Sequence, residues 1–209
     1  MPASSQLLHH RLVVGFHGCD RAVGERVLVG RSGLKPSANP YDWLGEGIYF
    51  WEHSERRALQ WAQEQVGRGR VKDPFVLGAY IHLGQCFDLT DTLLTARLSD
   101  FYDDYVQTME DVGRPLAENK PGHGGGDDLL VRFLDCAVLN LGLRALDEAA
   151  GDGGVYFQTV RGVFVEGPPA YPGAAIRTKT HVQICVRDPG SILGFFKPVG
   201  YDVPEESAP

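Results

Sequence analysis

The sequence predicts a single-domain fold of the α+β class. Short apolar runs typical of strands are mixed with amphipathic segments typical of helices, and no regular strand–helix–strand alternation is present. A length of 209 residues suits one buried core, and a hydrophobic fraction of 43% with a charged fraction of 22% is typical of globular proteins. We therefore expect one domain over residues 11–198, a loose N-terminal arm over 1–10 and a C-terminal tail over 199–209.

The first half of the chain is predicted to contain two strand–helix units. Asp20 can cap the helix after the first strand, and Gly45 and Gly47 allow a tight turn before an aromatic second strand. Ser54 then marks the start of the second helix. In chain order these elements are a strand over 11–17, a helix over 21–29, a brief extended segment over 33–37, a strand over 48–51 and a helix from 54 that ends by 67.

The second half is predicted to begin with a long extended run, in which Gly78 and Gly84 suggest a bulge or a close backbone approach. Two helices follow, separated by a loop over 113–128 that is rich in glycine and proline, and they are expected to pack as a pair on the strands. In chain order these elements are the extended run over 75–89, a helix from 90 or 91 through 109, a helix over 129–149, and strands over 155–166, 181–187 and 191–197.

The composition favours a reducing compartment and gives no sign of a metal site. The four cysteines are far apart, without a Cys-x-x-Cys pair or a His/Cys cluster, so we expect buried free thiols and no metal. A net charge of -7 argues against a broad surface for binding phosphates. Without a basic and apolar leader, or an apolar run near the ~20 residues that span a bilayer, the chain is expected to be cytoplasmic and to have no membrane partner.

Several motifs that suggest other chemistry are incomplete. The run His123-Gly124-Gly125-Gly126 is similar to an esterase oxyanion loop, but no Gly-x-Ser-x-Gly nucleophile turn is present. His17 and Cys19 have the spacing of a thiol–histidine pair, without a residue nearby to orient the histidine. The glycine patterns that bind dinucleotide and nucleotide phosphates are absent. Neither a thiol enzyme nor the usual dinucleotide-binding helix is therefore favoured.

Three ordered motifs carry the functional argument. They are Phe16-His17-Gly18, Gly45-Glu46-Gly47-Ile48-Tyr49-Phe50 and the stretch from Gln183 to Ile192. In order and spacing they resemble the ADP-ribosyltransferase superfamily, in the diphtheria-toxin and poly(ADP-ribose) polymerase branch with its His-Tyr-Glu arrangement. The motifs are short, but the framework that they define spans nearly the whole chain. The resemblance implies an ADP-ribosyltransferase-like split β-sheet core with flanking helices and a helical insertion.

The resemblance also implies that the chain binds NAD as its substrate. Tyr49 would offer its ring to the cationic nicotinamide, by stacking and cation–π attraction. The backbone of Gly18 would hold the carboxamide, and His17 would hydrogen-bond the adenosine-side ribose. Gln183 stands at the position of the catalytic glutamate, so the expected catalytic set is His17, Tyr49 and Gln183. Cleavage of the nicotinamide–ribose bond leaves an oxocarbenium-like sugar, which preorganised dipoles or a negative charge would stabilise.

The largest departure from the family pattern is Gln183, because an amide can hydrogen-bond but carries no charge and cannot act as a general base. Chain elongation is therefore not expected, and the choice lies between single-unit transfer and binding alone. Three carboxylates are candidates to replace the missing acid: Glu46, Glu52 and Glu166.

The second helix also departs from the family pattern. The position of a second stacking tyrosine holds Gln60, and the neighbouring Trp61 could substitute for it after a slight rotation of the helix. The position of a carboxamide-binding serine holds Arg57. With these differences, the residues expected to contact NAD are Gly18, Tyr49, Arg57 and Trp61.

These observations lead to one main functional hypothesis and three alternatives. By resemblance, the chain is expected to be an NAD-dependent mono-ADP-ribosyltransferase with a protein or nucleic-acid acceptor, in the setting of a toxin or defence effector. An antitoxin or immunity protein is the implied partner. The alternatives are a catalytically silent module that binds NAD or ADP-ribose, an NAD glycohydrolase, and a structural interaction protein without a nucleotide site.

Overall fold

The computed structural model describes residues 8–122, 128–151 and 156–199. Within these ranges the chain forms a six-stranded mixed sheet and four α-helices, which confirms the α+β class. The strands are β1 (Leu8–Asp20), β2 (Ile48–Glu52), β3 (Pro74–Asp88), β4 (Thr159–Phe164), β5 (His181–Val186) and β6 (Ile192–Phe196). The helices are α1 (Arg21–Leu28), α2 (Glu55–Val66), α3 (Thr92–Asp111) and α4 (Phe133–Ala150).

The strand pairings form a closed circuit. β1 pairs with β2, β2 with β5, β5 with β4 and β4 with β3, and β3 returns to β1. All of these pairs are antiparallel except β3–β4. β3 closes the circuit because it is long: its residues up to Gln85 pair with β1, and its last three pair with β4. β6 extends the sheet beyond β3.

The circuit encloses an apolar core. Phe50, Ile81 and Ile184 are fully buried and pack together inside it. At Gly15 there is no room for a side chain, since a Cβ would lie 2.7 Å from Ile81 Cδ1 and 2.8 Å from Phe50 Cβ. Gly15 pairs with Glu52, the last residue of β2, so this glycine lets β1 and β2 lie close together over the core.

The helices cover the outside of the sheet. α3 and α4 pack on a cluster that includes Phe87, Phe101 and Phe157, which confirms the predicted helix pair on the strands. α4 begins four residues later than predicted, because Val131 forms a backbone bridge with Lys120 before the helix starts. α2 packs against β1 and β3 and carries the two predicted contact residues of the second helix.

Two other predicted boundaries need correction. β1 begins at Leu8 rather than at residue 11, because its first two residues pair with Gln85 and Gly84 of the long β3. The predicted loose arm therefore does not include residues 8–10. The extended segment over 33–37 contributes one isolated bridge, from Ser37 to Gly47, rather than a strand.

Some predictions fall outside the described residues, namely the arm over 1–7, the tail over 200–209, the glycine run over 123–126 and the start of the strand predicted from 155. All four cysteines are buried free thiols, as predicted. In the described part of the chain, no helix combines the length and the apolar character needed to cross a membrane.

A buried ion network links the strands at one end of the circuit. Arg161 of β4 donates from Nε to Glu52 Oε2 (2.5 Å) and from Nη1 to Asp88 Oδ2 (3.1 Å). Arg11 of β1 lies 3.5 Å from the same oxygen of Asp88. Burial alone would raise the pKa of Asp88, but hydrogen bonds from Thr90 and the charge of Arg161 hold it below its ordinary value. The network therefore joins β1, β2, β3 and β4 through ion pairs.

Replacement of Arg161 by methionine is expected to destabilise the fold by about 3–5 kcal/mol, because it would leave Glu52 buried without its counter-charge and Asp88 with only the more distant Arg11. The side chains of Glu52 and Asp88 are only 11% and 3% exposed. Urea unfolding of the variant and the wild type measures the difference. Arg144→Ala is the control: Arg144 is 67% exposed and reaches Glu46 only at 3.9 Å, so a change within about 0.5 kcal/mol is expected. Equal losses in the two variants would contradict a structural role for the network.

Candidate functional site

β2 is the central strand of the candidate site. It lies between β1 and β5, and Trp51 pairs with Phe16 on one side and with Gln183 on the other. The three sequence motifs thus occupy three adjacent strands. Because side chains alternate along a strand, Tyr49 shares the face of Trp51 and Gln183, whereas His17 points to the opposite face.

His17 is fixed by a hydrogen bond to the backbone of β2. Its Nδ1 lies 2.8 Å from the carbonyl oxygen of Tyr49, and its ring lies 5.7 Å from that of Phe50. Since a carbonyl only accepts, Nδ1 carries the proton and Nε2 is an acceptor. Burial lowers the pKa of His17, although the bond to Tyr49 acts in the opposite direction. His17 is therefore neutral at pH 7 and can accept a hydrogen bond from a hydroxyl group.

Gly18 lies beyond the paired part of β1 and β2, which ends at Phe16. The N–H of His53 donates to the carbonyl of Val14 in β1. Every second residue of an antiparallel strand directs its backbone N–H and C=O groups to the same neighbouring strand. The backbone groups of Gly18, four residues after Val14, are therefore also directed towards β2. A Cβ at this position would lie 2.3 Å from the carbonyl oxygen of Ala58 in α2. Close packing of α2 thus requires the glycine, and its contact with a carboxamide stays a prediction.

Tyr49 fixes the glycine turn before β2. Its hydroxyl donates to the carbonyl of Gly45 (2.8 Å) and accepts from the N–H of Leu44 (3.0 Å). Gly45 has a φ of 82°, a left-handed conformation that favours glycine. Burial raises the pKa of Tyr49, so the hydroxyl keeps its proton. The hydroxyl therefore has a structural role, and stacking of the ring on nicotinamide stays a prediction.

Gln183 is held by a tryptophan that the sequence motifs do not contain. Trp43 Nε1 donates to Gln183 Oε1 at 2.5 Å. The indole lies over Gly162, the β4 partner of Gln183, where a Cβ would come within 2.7 Å of it. Gly162 therefore lies inside the continuous strand β4 and makes room for the indole. With Oε1 engaged, the amide nitrogen of Gln183 is the group that can donate to a ligand.

The face around Trp51 is an aromatic cluster with one buried arginine. The ring of Trp61 lies 5.7 Å from that of Trp51, and the guanidinium carbon of Arg57 lies 5.9 Å from the same ring. Arg57 Nη2 also donates to Glu166 Oε2 at 2.8 Å. Trp51 therefore connects the two predicted residues of α2 with the strand of Gln183.

His181 completes this cluster. Its ring lies 6.2 Å from that of Trp51, and its Nδ1 lies 2.6 Å from the carbonyl oxygen of Lys179. Nδ1 therefore donates and Nε2 is an acceptor. Burial lowers the pKa of His181, and the nearby charge of Arg57 acts in the same direction, against the hydrogen bond to Lys179 and the charge of Glu166. His181 is accordingly neutral at pH 7.

The motifs missed Trp43 and His181, although signals for both are present in the sequence. The three tryptophans of the chain, at 43, 51 and 61, all lie around the predicted aromatic strand. His181 stands two residues before Gln183, a spacing that places both side chains on one face of a strand.

The three candidate carboxylates differ in their surroundings. Glu52 is bound to Arg161 and, as the partner of Gly15, lies on the face opposite Gln183. Glu46 is 56% exposed. Glu166 is 20% exposed and, through Arg57, is part of the cluster around Trp51. In the described part of the chain, Glu166 is thus the one of the three that pairs with a predicted site residue, Arg57. Within the described ranges, no group of His, Cys, Asp or Glu side chains is placed to hold a metal ion.

A separate cavity of about 540 Å³ lies along α4, with Pro40, Tyr105, Cys136 and Leu141 in its lining. None of the predicted site residues contributes to that lining. The cavity therefore does not belong to the candidate site on β1, β2 and β5.

No family model matches the sequence, and no curated protein matches it. We therefore infer the function from the residues and geometry of the site itself.

Proposed function

We propose that this chain is an NAD-dependent ADP-ribosyltransferase that transfers a single ADP-ribose unit to a macromolecular acceptor, a protein or a nucleic acid. The observation that carries the proposal is the junction of β1 and β2. There His17 of β1 is held by the Tyr49 carbonyl of β2, and β2 pairs on its other side with β5, the strand of Gln183. The residues of the three motifs, far apart in the sequence, thus lie on neighbouring strands in the order β1–β2–β5.

The sheet supports the finer proposal of an ADP-ribosyltransferase-like split core. The central position of β2, with a partner strand on each side, suits a site assembled from the first, second and fifth strands. α2 covers the face of Trp51, and the α3–α4 pair is the proposed helical insertion between β3 and β4. Both arrangements support the proposed fold, whichever macromolecule accepts the ADP-ribose.

The site offers hydrogen bonds for the two riboses of NAD. His17 Nε2 would accept a hydroxyl proton of the adenosine-side ribose, and the Gln183 amide, on the opposite face of the strands, would donate to the ribose that carries nicotinamide. NAD would reach both faces beyond Phe16 and Trp51, where the pairing of β1 with β2 ends. The bond between that sugar's anomeric carbon and the ring nitrogen breaks, and its electron pair leaves with neutral nicotinamide. A lone pair of the acceptor then bonds to the anomeric carbon, and the acceptor proton passes to water.

A second candidate function is a silent module that binds NAD without cleaving it. The observation that favours it is that Glu52 and Glu166 are both paired with arginines, at Arg161 and Arg57. A paired carboxylate is a weaker electrostatic partner for an oxocarbenium-like sugar than an unpaired one.

One incubation separates these functions. The protein is mixed with NAD labelled in its adenylate half, with and without cell lysate, and nicotinamide release is measured in parallel. Label on a macromolecule with matching nicotinamide release supports transfer. Free ADP-ribose without labelled acceptor indicates a glycohydrolase, and intact NAD together with measurable binding indicates a silent module. Absence of NAD binding by calorimetry would refute all three.

His17→Asn is expected to weaken NAD binding by about tenfold, because the asparagine amide can still donate to Tyr49 but lacks the Nε2 acceptor. Calorimetry with NAD measures the loss, and thermal melts check that the fold is kept. His82→Gln serves as the control, since His82 is a partly buried histidine on β3, which does not pair with β2. An unchanged dissociation constant for His17→Asn would remove His17 from the site.

Gln183→Glu is expected to raise nicotinamide release by at least about tenfold, because a carboxylate would stabilise the developing positive charge on the ribose. The new side chain can still accept the hydrogen bond from Trp43. Initial rates of nicotinamide release are compared with those of Gln63→Glu, the same change on the exposed side of α2. Equal rates in the two variants would show that Gln183 does not stand at the reacting sugar.

A further inference from the structure

The cavity along α4 has the size and lining of a pocket for a small molecule. Clefts that bind such ligands typically enclose about 300–1000 Å³ behind mostly apolar walls with a few polar groups. This cavity has a volume of about 540 Å³. One stripe of α4, from Phe133 to Glu148, forms one wall, and Pro40, Tyr105 and Ala117 complete the described lining. The lining thus joins α4 with α3 and with the loop before β2.

The inner end of the cavity is formed by uncharged groups. Tyr105 and Cys136 are 5% and 3% exposed. Burial raises the pKa of the Cys136 thiol to about 11, so the thiol keeps its proton at pH 7. The amide of Asn140 donates from Nδ2 to Cys136 Sγ at 3.4 Å, so it already has a partner in the chain. A charged group of a ligand would lose its hydration here without meeting a counter-charge.

The charged residues of the described lining stand at its solvent side and have opposite signs. The side chain of Arg144 is 67% exposed, and Glu148 is exposed as well. They lie one helical turn apart on the same stripe of α4, so their charges offset each other. A ligand of either sign would be attracted by one residue and repelled by the other. The affinity must therefore come from apolar contacts with the rings of Tyr105 and Phe133, which suit a flat uncharged ligand.

The lining also holds the loop over residues 37–47. Two backbone hydrogen bonds between the end residues of this loop close it. On the side of α4, Cys136 Sγ donates to the carbonyl of Asn39 at 3.5 Å. One turn further along α4, Asn140 Oδ1 accepts from the N–H of Glu46 at 2.9 Å. The loop is therefore a closed unit that α4 binds at both ends.

Trp43 connects this loop with the candidate site, because its Nε1 donates to Gln183 Oε1. The loop is packed tightly on α4, since a Cβ at Gly45 would lie 2.7 Å from Asn140 Oδ1. A ligand that displaces the Asn140 side chain therefore moves the loop as well. We propose that the cavity is a regulatory site for a small uncharged aromatic molecule, whose binding shifts the loop over 37–47 and changes the hydrogen bond between Trp43 and Gln183.

Binding of three ligands of similar shape tests the proposed ligand class. Benzyl alcohol, benzoate and benzylamine share one ring and are neutral, anionic and cationic at pH 7. Calorimetry is expected to show that the alcohol binds at least about tenfold more tightly than either ion. Equal or tighter binding of an ion would overturn the ligand class, and absence of binding by all three would overturn the site.

Ala137→Leu tests whether the ligand lies in the cavity, because the larger side chain would fill part of it and weaken the binding of benzyl alcohol by at least about tenfold. Ala149→Leu is the control, since it is the same change at an exposed position of α4 outside the described lining. Thermal melts check the fold of both variants. Ala145→Leu, at an exposed position of the lining, should weaken binding in the same direction. Binding that neither lining variant weakens would overturn the site.

NMR of the indole N–H groups tests the coupling. Saturating benzyl alcohol is expected to shift the signal of Trp43, which Trp43→Phe assigns, and to leave that of Trp61 on α2 in place. Asn140→Ala should keep the binding but remove at least about half of the Trp43 shift, because the contact with Glu46 is lost. A Trp43 signal that does not respond, or a shift that Asn140→Ala leaves whole, would overturn the regulatory role.

Failure of this inference and failure of the proposed function are separate results. None of these measurements contains NAD, so loss of the NAD site would leave the cavity and its coupling to Trp43 standing. Only the effect on the ribose contact of Gln183 rests on the proposed function.

Discussion

The ion network around Arg161 is the constraint on which the rest of the structure depends. The guanidinium donates to two carboxylates, Glu52 and Asp88, which end β2 and β3, and Arg11 supplies a second cation. Two positive and two negative charges therefore balance in a place where an unpaired charge would be costly. Since Glu52 follows Trp51 directly, the network also fixes how β2 lies against β1 and β5.

β2 in turn connects the core with the candidate site through its alternating side chains. Phe50 points into the enclosed core, whereas Tyr49 and Trp51 point outward to the helices and the aromatic cluster. Two glycines of β1 make room on the two faces of the sheet. Gly15 leaves space for Phe50 inside the core, and Gly18 leaves space for α2 outside it. Local changes in β2 would therefore affect the core and the site together.

The sequence predicted the local elements well, because periodicity and capping residues act over a few positions. β2, α1 and the α3–α4 pair follow from such signals. The closure of the sheet did not follow from them, because β3 continues past the glycines at 78 and 84 and pairs with β1 and β4 at different points along its length.

The site could be predicted only in part, for a similar reason. The motifs grouped His17, Tyr49 and Gln183 into one site by resemblance, but their individual contacts depend on residues far away in sequence. Trp43 reaches Gln183 across 140 positions, and Arg57 reaches Glu166 across 109. No local pattern specifies such pairs. The hydroxyl of Tyr49 differs from these pairs, since its partners Leu44 and Gly45 are close in sequence. Even so, only the folded structure shows that this hydroxyl forms its hydrogen bonds with the turn before β2.

The amide at position 183 is consistent with the electrostatics of the whole cluster. Arg57 and Glu166 form a neutral pair, and His181 is held neutral by burial and by the nearby Arg57. A carboxylate at 183 would add a negative charge that nothing in the ligand-free cluster balances, whereas an amide accepts the Trp43 hydrogen bond without that cost. On the proposed function, the cationic nicotinamide ring would then be stabilised by aromatic faces and dipoles rather than by a full charge. Such a site would bind NAD without a strong electrostatic pull on the glycosidic bond, so we expect slow single transfer rather than rapid chain elongation.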